Sequence, residues 1–304
     1  MTPFKSDGSI DWDSLLAMQA KLMAAGFSSV TWPGTMGNWT ELTLRERIRG
    51  TKLLAKQGPL IVGTGALNSG DAAFYARAAR EHGAAGLMII PRIGYMQTVE
   101  EAQIHHFATV LEAGGPDLPA VAYNNPPSYI YSMSQAAFFR LRERFPQLQG
   151  FKESGGPQAM TRASRTITSD DGCFLVVGID NAVVHGAIHC NAVGCITGIG
   201  NVLPEPVLML WKLCQKAKEG DAIAWQLAEE LERRLMPLSD YDADAKLVLY
   251  YKYLLYVTEQ GPVYLNHRPD DFRLSMTEMD EAHYQLHLFE RWWKNWNGRE
   301  RFFG

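Results

Sequence analysis

The sequence predicts an α/β fold: a (β/α)8 (TIM) barrel followed by a C-terminal helical extension. Three observations carry this. Short, continuously apolar runs alternate with longer helical patterns from about residue 27 to residue 218, and unbroken apolar strands belong to parallel sheets buried on both faces. The chain has 304 residues, which suits one barrel of roughly 250 residues plus an appendage. Strand-like runs cease after residue 220, and only helical patterns remain.

Asp11 precedes an amphipathic stretch that stops at Gly26, as an N-cap and a terminating glycine predict. FSSVTWP (27–33) reads as a strand, and Thr43 with Glu46 has capping-box spacing for a helix ending near Gly58. PLIVGTG (59–65) is a strand and 69–82 a helix; AGLMII (85–90) is a strand. Thr98 and Glu101 predict a second capping box before a helix ending at Gly114. PAVAY (119–123) is a strand, 134–144 a helix, QGFK (149–152) a strand and 157–168 a helix. FLVVGI (174–179), a helix over 181–190, GCIT (194–197) and a helix over 204–218 complete the alternation. Residues 221–235, 241–258 and 276–296 read as helices, with 261–271 a loop. The expected division is a catalytic barrel over 1–220 and a helical extension over 221–304.

These runs make seven strands, and a barrel needs one more, which should precede Thr2-Pro3-Phe4. Either the chain begins at or just after its first strand or the barrel is imperfect here. A seven-stranded doubly wound sheet is the structural alternative.

A net charge of −4 gives no reason to expect nucleic acid or an anionic membrane as a partner. Four sparse cysteines without a CxxC, no signal-peptide pattern and no long apolar span point to a cytoplasmic protein with free thiols.

Barrel active sites lie at the C-terminal ends of the strands. That rule selects residues 34–37, Thr64, Tyr123, Lys152, residues 178–180 and residues 196–198. Lys152 closes an apolar strand with its Cβ on the side of Gly150, towards the interior. A lysine there needs a reason, because burying an unpaired charge is costly. Desolvation lowers its pKa and leaves a neutral amine able to attack a carbonyl, giving an iminium that serves as an electron sink. Taken alone, the position also fits a structural lysine paired with a carboxylate, or one whose head reaches solvent.

FKES (151–154), YNNP (123–126), GTMGNWTELTLRER (34–47) and GCITGIGNVLPE (194–205) resemble the motifs of the dihydrodipicolinate synthase and N-acetylneuraminate lyase family, in order and approximate spacing. The resemblance covers nearly the whole chain. It implies a (β/α)8 barrel with C-terminal helices, a homotetramer or homodimer, a small 2-oxo acid as substrate, and no cofactor or metal. It makes Lys152 the Schiff-base lysine and Tyr123 the phenol that shuttles protons beside the iminium. The GTMG segment, with Thr35 and Met36, is then expected to bind the substrate carboxylate, and Gly178, Ile196 and Thr197 to complete the pocket.

The departures from the family pattern narrow the expectation. Met36 replaces a second hydroxyl residue, so a hydroxyl relay through this loop is expected to be broken. The tyrosine that a neighbouring subunit contributes in the synthase aligns with Ile93, and the arginine that clamps its second substrate aligns with Ser128. Both losses argue against lysine biosynthesis. The aromatic, rigid run 126–131 does not suggest a long sugar acid. The motifs are most similar to Δ1-pyrroline-4-hydroxy-2-carboxylate deaminases, which would act by dehydration and deamination. A retro-aldol lyase releasing pyruvate and a non-catalytic ligand-binding barrel are the alternatives.

Other signals carry less. His185 and His189, followed by Cys190, have a spacing that could hold a metal but lack a third acidic ligand. His105 and His106 are expected to straddle a helix face, one packed and one wet. The tryptophans of 292–296 suit a packing helix, and GTGALNSG (63–70) lacks dinucleotide-site spacing.

Overall fold

The structure is a computed structural model and describes residues 1–258, 261–268 and 273–299. Its core is one parallel sheet of seven strands: β1 (Val30–Thr31), β2 (Leu60–Gly63), β3 (Gly86–Ile89), β4 (Ala120–Asn124), β5 (Leu148–Glu153), β6 (Phe174–Val177) and β7 (Gly194–Cys195). The strands pair strictly in chain order, from β1 to β7. A doubly wound sheet must reverse its order at a switch point; this one never does. Right-handed crossovers of one sense put every helix on one side, so the other side becomes the inside of a barrel. The fold is therefore of the (β/α)8 barrel class, and the doubly wound alternative fails.

The helices are α1 (Trp12–Ala25), α2 (Leu44–Gln57), α3 (Ser69–Glu81), α4 (Glu100–Gly114), the short α5 (Pro126–Tyr129), α6 (Gln135–Arg144), α7 (Pro157–Ala163) and α8 (Pro204–Lys218). Beyond them come α9 (Ala222–Ser239), α10 (Leu247–Val257) and α11 (Met276–Lys294). Asp11 caps α1 through Ser14 N–H and Gly26 ends it in the left-handed region; the Thr43–Glu46 capping box opens α2. On α4, His106 is buried between Ser69 and Ile90 while His105 is exposed.

Several sequence expectations are corrected. The second capping box does not form: Val99 is the N-cap of α4, without a side-chain bond, because the first helical bonds run to Val99 O. Gln103 instead ties down the preceding loop, bonding both N–H and C=O of Arg92. The helix expected over 181–190 is a 3-10 turn (Asp180–Ala182) and a π-turn (His185–His189). The helix expected over 241–258 is broken into a 3-10 turn (Asp240–Ala243) and α10. Asp244 breaks it by taking an extended backbone conformation two residues before the N-cap Lys246, its carboxylate accepting from Lys246 N–H at 2.6 Å. Part of the 261–271 loop and the last residues of the extension lie outside the described residues.

No strand precedes β1 among the described residues. Phe4 forms an isolated antiparallel bridge with Ile10, and Thr2 lies against the end of β1, accepting from Trp32 Nε1 at 3.0 Å. Tryptophans 292, 293 and 296 pack together on and beyond α11, and Trp296 donates to Glu230 of α9.

Candidate active site

A cavity of about 620 Å3 opens at the C-terminal end of the sheet. All seven residues expected to handle substrate line it: Thr35, Met36, Tyr123, Lys152, Gly178, Ile196 and Thr197.

Lys152 and Tyr123 are direct cross-strand partners on β5 and β4. Shared register puts both side chains on one face, and Lys152 Nζ sits 3.7 Å from the centre of the Tyr123 ring. Lys152 is 5% exposed. Burial lowers its pKa to about 8, while the charges of Asp242 and Asp180 oppose the fall. At pH 7 this leaves roughly a tenth of the amine neutral, against about 0.03% for an ordinary lysine.

The two motifs are bonded to each other. Asn124, opposite Glu153 in register, donates to its carboxylate at 2.8 Å and accepts from Met133 N–H at 2.9 Å. Asn125 donates to the Tyr123 hydroxyl at 2.9 Å. Burial raises the pKa of Tyr123, partly offset by hydrogen bonds with Ser154, Asn125 and Thr35. Ser154 also donates to Gly178 O at 2.8 Å. Gly178 is required there: a Cβ would lie 2.1 Å from Ser154 Oγ and 3.0 Å from Lys152 Cε.

Thr35, on the 3-10 turn Thr35–Gly37, corrects the expectation of a broken hydroxyl path. Its Oγ1 lies 3.2 Å from the Tyr129 hydroxyl and also bonds Tyr123. The chain Tyr123–Thr35–Tyr129 persists because the hydroxyl at position 35 makes both contacts, whatever stands at 36. Tyr129 stacks edge-on against Tyr123, with centroids 5.6 Å apart. Tyr129 also borders a second, smaller cavity lined by Ile93 and Ser128. Met36 and Ile196 supply apolar wall, and Met36 Cε would meet a Cβ at Gly198 at 2.5 Å.

Two carboxyl groups stand beside Lys152. Asp180 accepts from the N–H groups of Gly198 and Ile199 and from the Tyr251 hydroxyl of α10. Asp242, on the turn Asp240–Ala243, lines the cavity and accepts from the backbone N–H of Asp180. A 2.8 Å bond from Asn181 to Asp240 holds this turn over the barrel mouth. Sequence reasoning missed Asp242 and Tyr129. The run SDYDAD (239–244) did carry a signal, since Ser and Asp compete for backbone hydrogen bonds and disfavour a helix interior.

His185 bonds Thr161 at 2.8 Å, and His189 packs on Trp225 at 5.3 Å. Neither lines the cavity. Among the described residues no group of three or more His, Cys, Asp or Glu side chains is placed to hold a metal, and no helix is long and apolar enough to cross a membrane.

Comparison with known proteins agrees with this geometry. The model of the dihydrodipicolinate synthetase family matches residues 1–285. The 4-hydroxy-tetrahydrodipicolinate synthase of Neisseria gonorrhoeae is 30% identical over 245 residues, 79% of this chain and 80% of that one. Its counterpart from Pseudomonas aeruginosa is 31% identical over 243 residues, 78% and 79% of the two chains. Among solved structures, the 4-hydroxy-tetrahydrodipicolinate synthase of Methylacidiphilum fumariolicum superposes with a TM-score of 0.85 at 21% identity, over 96% of this chain and 94% of that one. The Escherichia coli prophage protein YagE, solved in complex with pyruvate, gives a TM-score of 0.85 at 19% identity, over 95% and 96%.

Proposed function

Because the chain belongs to the dihydrodipicolinate synthetase family, we propose that it is a lyase acting through a Schiff base between Lys152 and a small 2-oxo acid or its cyclic imine equivalent. The observation that carries this is Lys152 itself, buried at a strand end over the Tyr123 ring, with its pKa lowered into the range where an amine is nucleophilic.

The neutral amine adds to C2 of the substrate. Tyr123, kept protonated by burial, donates to the departing C2 oxygen or nitrogen and leaves the iminium. The first N–H groups of a helical turn lack intrahelical partners, so the Thr35–Gly37 turn suits the substrate carboxylate, with the Thr35 hydroxyl beside it. Gly178 supplies room next to the reacting nitrogen, and Ile196 and Thr197 face the rest of the substrate. The iminium is its own electron sink.

The finer reading is dehydration and deamination of Δ1-pyrroline-4-hydroxy-2-carboxylate. Lys152 enters by transimination and opens the ring, the 4-hydroxyl leaves as water, and hydrolysis releases ammonia and 2-oxoglutarate semialdehyde. Ser128 and Ile93 support action on a single substrate, since neither offers a positive charge suited to clamp a second carboxylate as an arginine would. The pyruvate bound to YagE favours a second reading, retro-aldol release of pyruvate from a longer 2-oxo acid through the same iminium. Assembly as a homodimer or homotetramer is part of the proposal.

The test is a panel of 2-oxo acids and the hydroxylated pyrroline carboxylate, with ammonia, pyruvate and the semialdehyde as readouts. Ammonia from the pyrroline supports the deaminase, and pyruvate from a longer acid supports the aldolase. If borohydride traps no adduct at Lys152 with any of them, the enzyme reading gives way to a ligand-binding barrel.

A further inference from the structure

Resting on the Schiff-base reading, we propose that Asp242 is the acid–base carboxyl of the elimination: it removes the C3 proton of the Lys152-bound substrate and returns it to the hydroxyl leaving C4.

The two carboxyls beside Lys152 are not equivalent. Asp180 is engaged by two backbone N–H groups and a phenol, which fixes the turn after β7. Asp242 accepts the backbone N–H of Asp180, and among the described residues no other hydrogen bond reaches it. Its carboxyl therefore keeps capacity towards the cavity it shares with Lys152 and Tyr123. The groups that act on it are Lys152 from β5, Tyr123 from β4, Asp180 from the turn after β6 and Tyr251 from α10. Burial and the neighbouring Asp180 charge push Asp242 up to about 7, and Lys152 pulls it back. A carboxyl in that range takes and gives a proton with similar ease.

Charge stays balanced through the step. When the C3–H bond breaks, its electron pair forms C2=C3 and the iminium becomes a neutral enamine, while Asp242 becomes a neutral acid. The enamine pair then forms C3=C4 and the C4–O bond breaks. The oxygen takes the proton from Asp242 and leaves as water. The iminium returns beside the carboxylate, so no unpaired charge is stranded in the buried site. Tyr123 is less suited to this proton transfer, because burial raises its pKa and its oxygen already accepts from Asn125.

The probe is pyruvate in D2O, whose methyl protons exchange once the Lys152 iminium forms. Wild-type protein should exchange them and give a borohydride adduct. Asp242→Asn should give the adduct to full stoichiometry yet lose methyl exchange by about 10^2- to 10^4-fold. Asp242→Glu, with a carboxyl on a longer arm, should recover part of it. Undiminished exchange in Asp242→Asn overturns the proposal. So does loss of the adduct together with exchange, because the carboxyl would then be supporting Lys152. Absence of an adduct in the wild-type protein instead sinks the Schiff-base reading on which the proposal rests.

Discussion

β4 and β5, at the centre of the sheet, are five and six residues long, and most of their residues, Tyr123 and Lys152 included, are buried. β1 and β7, at its edges, are two residues each and only half-buried. Lys152 and Tyr123, the proposed nucleophile and proton donor, sit on the central pair, while Thr35 and Met36 follow β1, and Ile196 and Thr197 follow β7. Groups that must keep a fixed mutual geometry occupy strands pinned by register and burial. Residues proposed to fit a particular substrate, Met36, Ile196 and Thr197, occupy turns after short strands, away from the strand register that sets the Lys152–Tyr123 pair.

The comparison breaks most sharply at the centre. Lys152→Ala is expected to lower turnover by at least ~10^4-fold, the scale of losing a covalent nucleophile, and mass spectrometry after borohydride should show no adduct. Tyr123→Phe keeps the packing but removes the phenol proton; a fall of about 10^2- to 10^4-fold in the rate of adduct formation is expected in a quenched time course. A pH series sharpens the picture. Because burial lowers Lys152 to about 8, adduct formation should rise about tenfold per pH unit below that value and level off above it. An ordinary lysine would still be gaining rate at about pH 10. The same shift affects stability. The unfolded chain binds more protons between the two lysine pKa values, so this group's contribution to stability rises with pH across that window. At the edge, Thr35→Val removes only the hydroxyl between Tyr123 and Tyr129. A loss of about tenfold or less is expected in kcat, about the value of one neutral hydrogen bond.

The same contrast explains what was legible in the sequence. The barrel could be read because its strands are continuous apolar runs closed by glycine-rich turns; Lys152 stood out because a lysine at the end of such a run is costly, but only the family motifs separated it from a structural lysine. Tyr129 was hidden in a Pro-rich aromatic run, since only tertiary packing turns its hydroxyl towards Thr35. Asp242 was hidden more deeply. It lies 90 residues from Lys152, in a segment with enough apolar residues to pass for helix, and only the folded-over turn brings it to the barrel mouth. Thr98 shows the converse error, a good capping pattern overruled because Gln103 organises the loop before α4.

Tyr123, Thr35 and Tyr129 are supplied by one and the same chain. A proton handed along them crosses no boundary between molecules. Whatever assembly the protein adopts, the rate per chain should therefore stay flat as the enzyme is diluted.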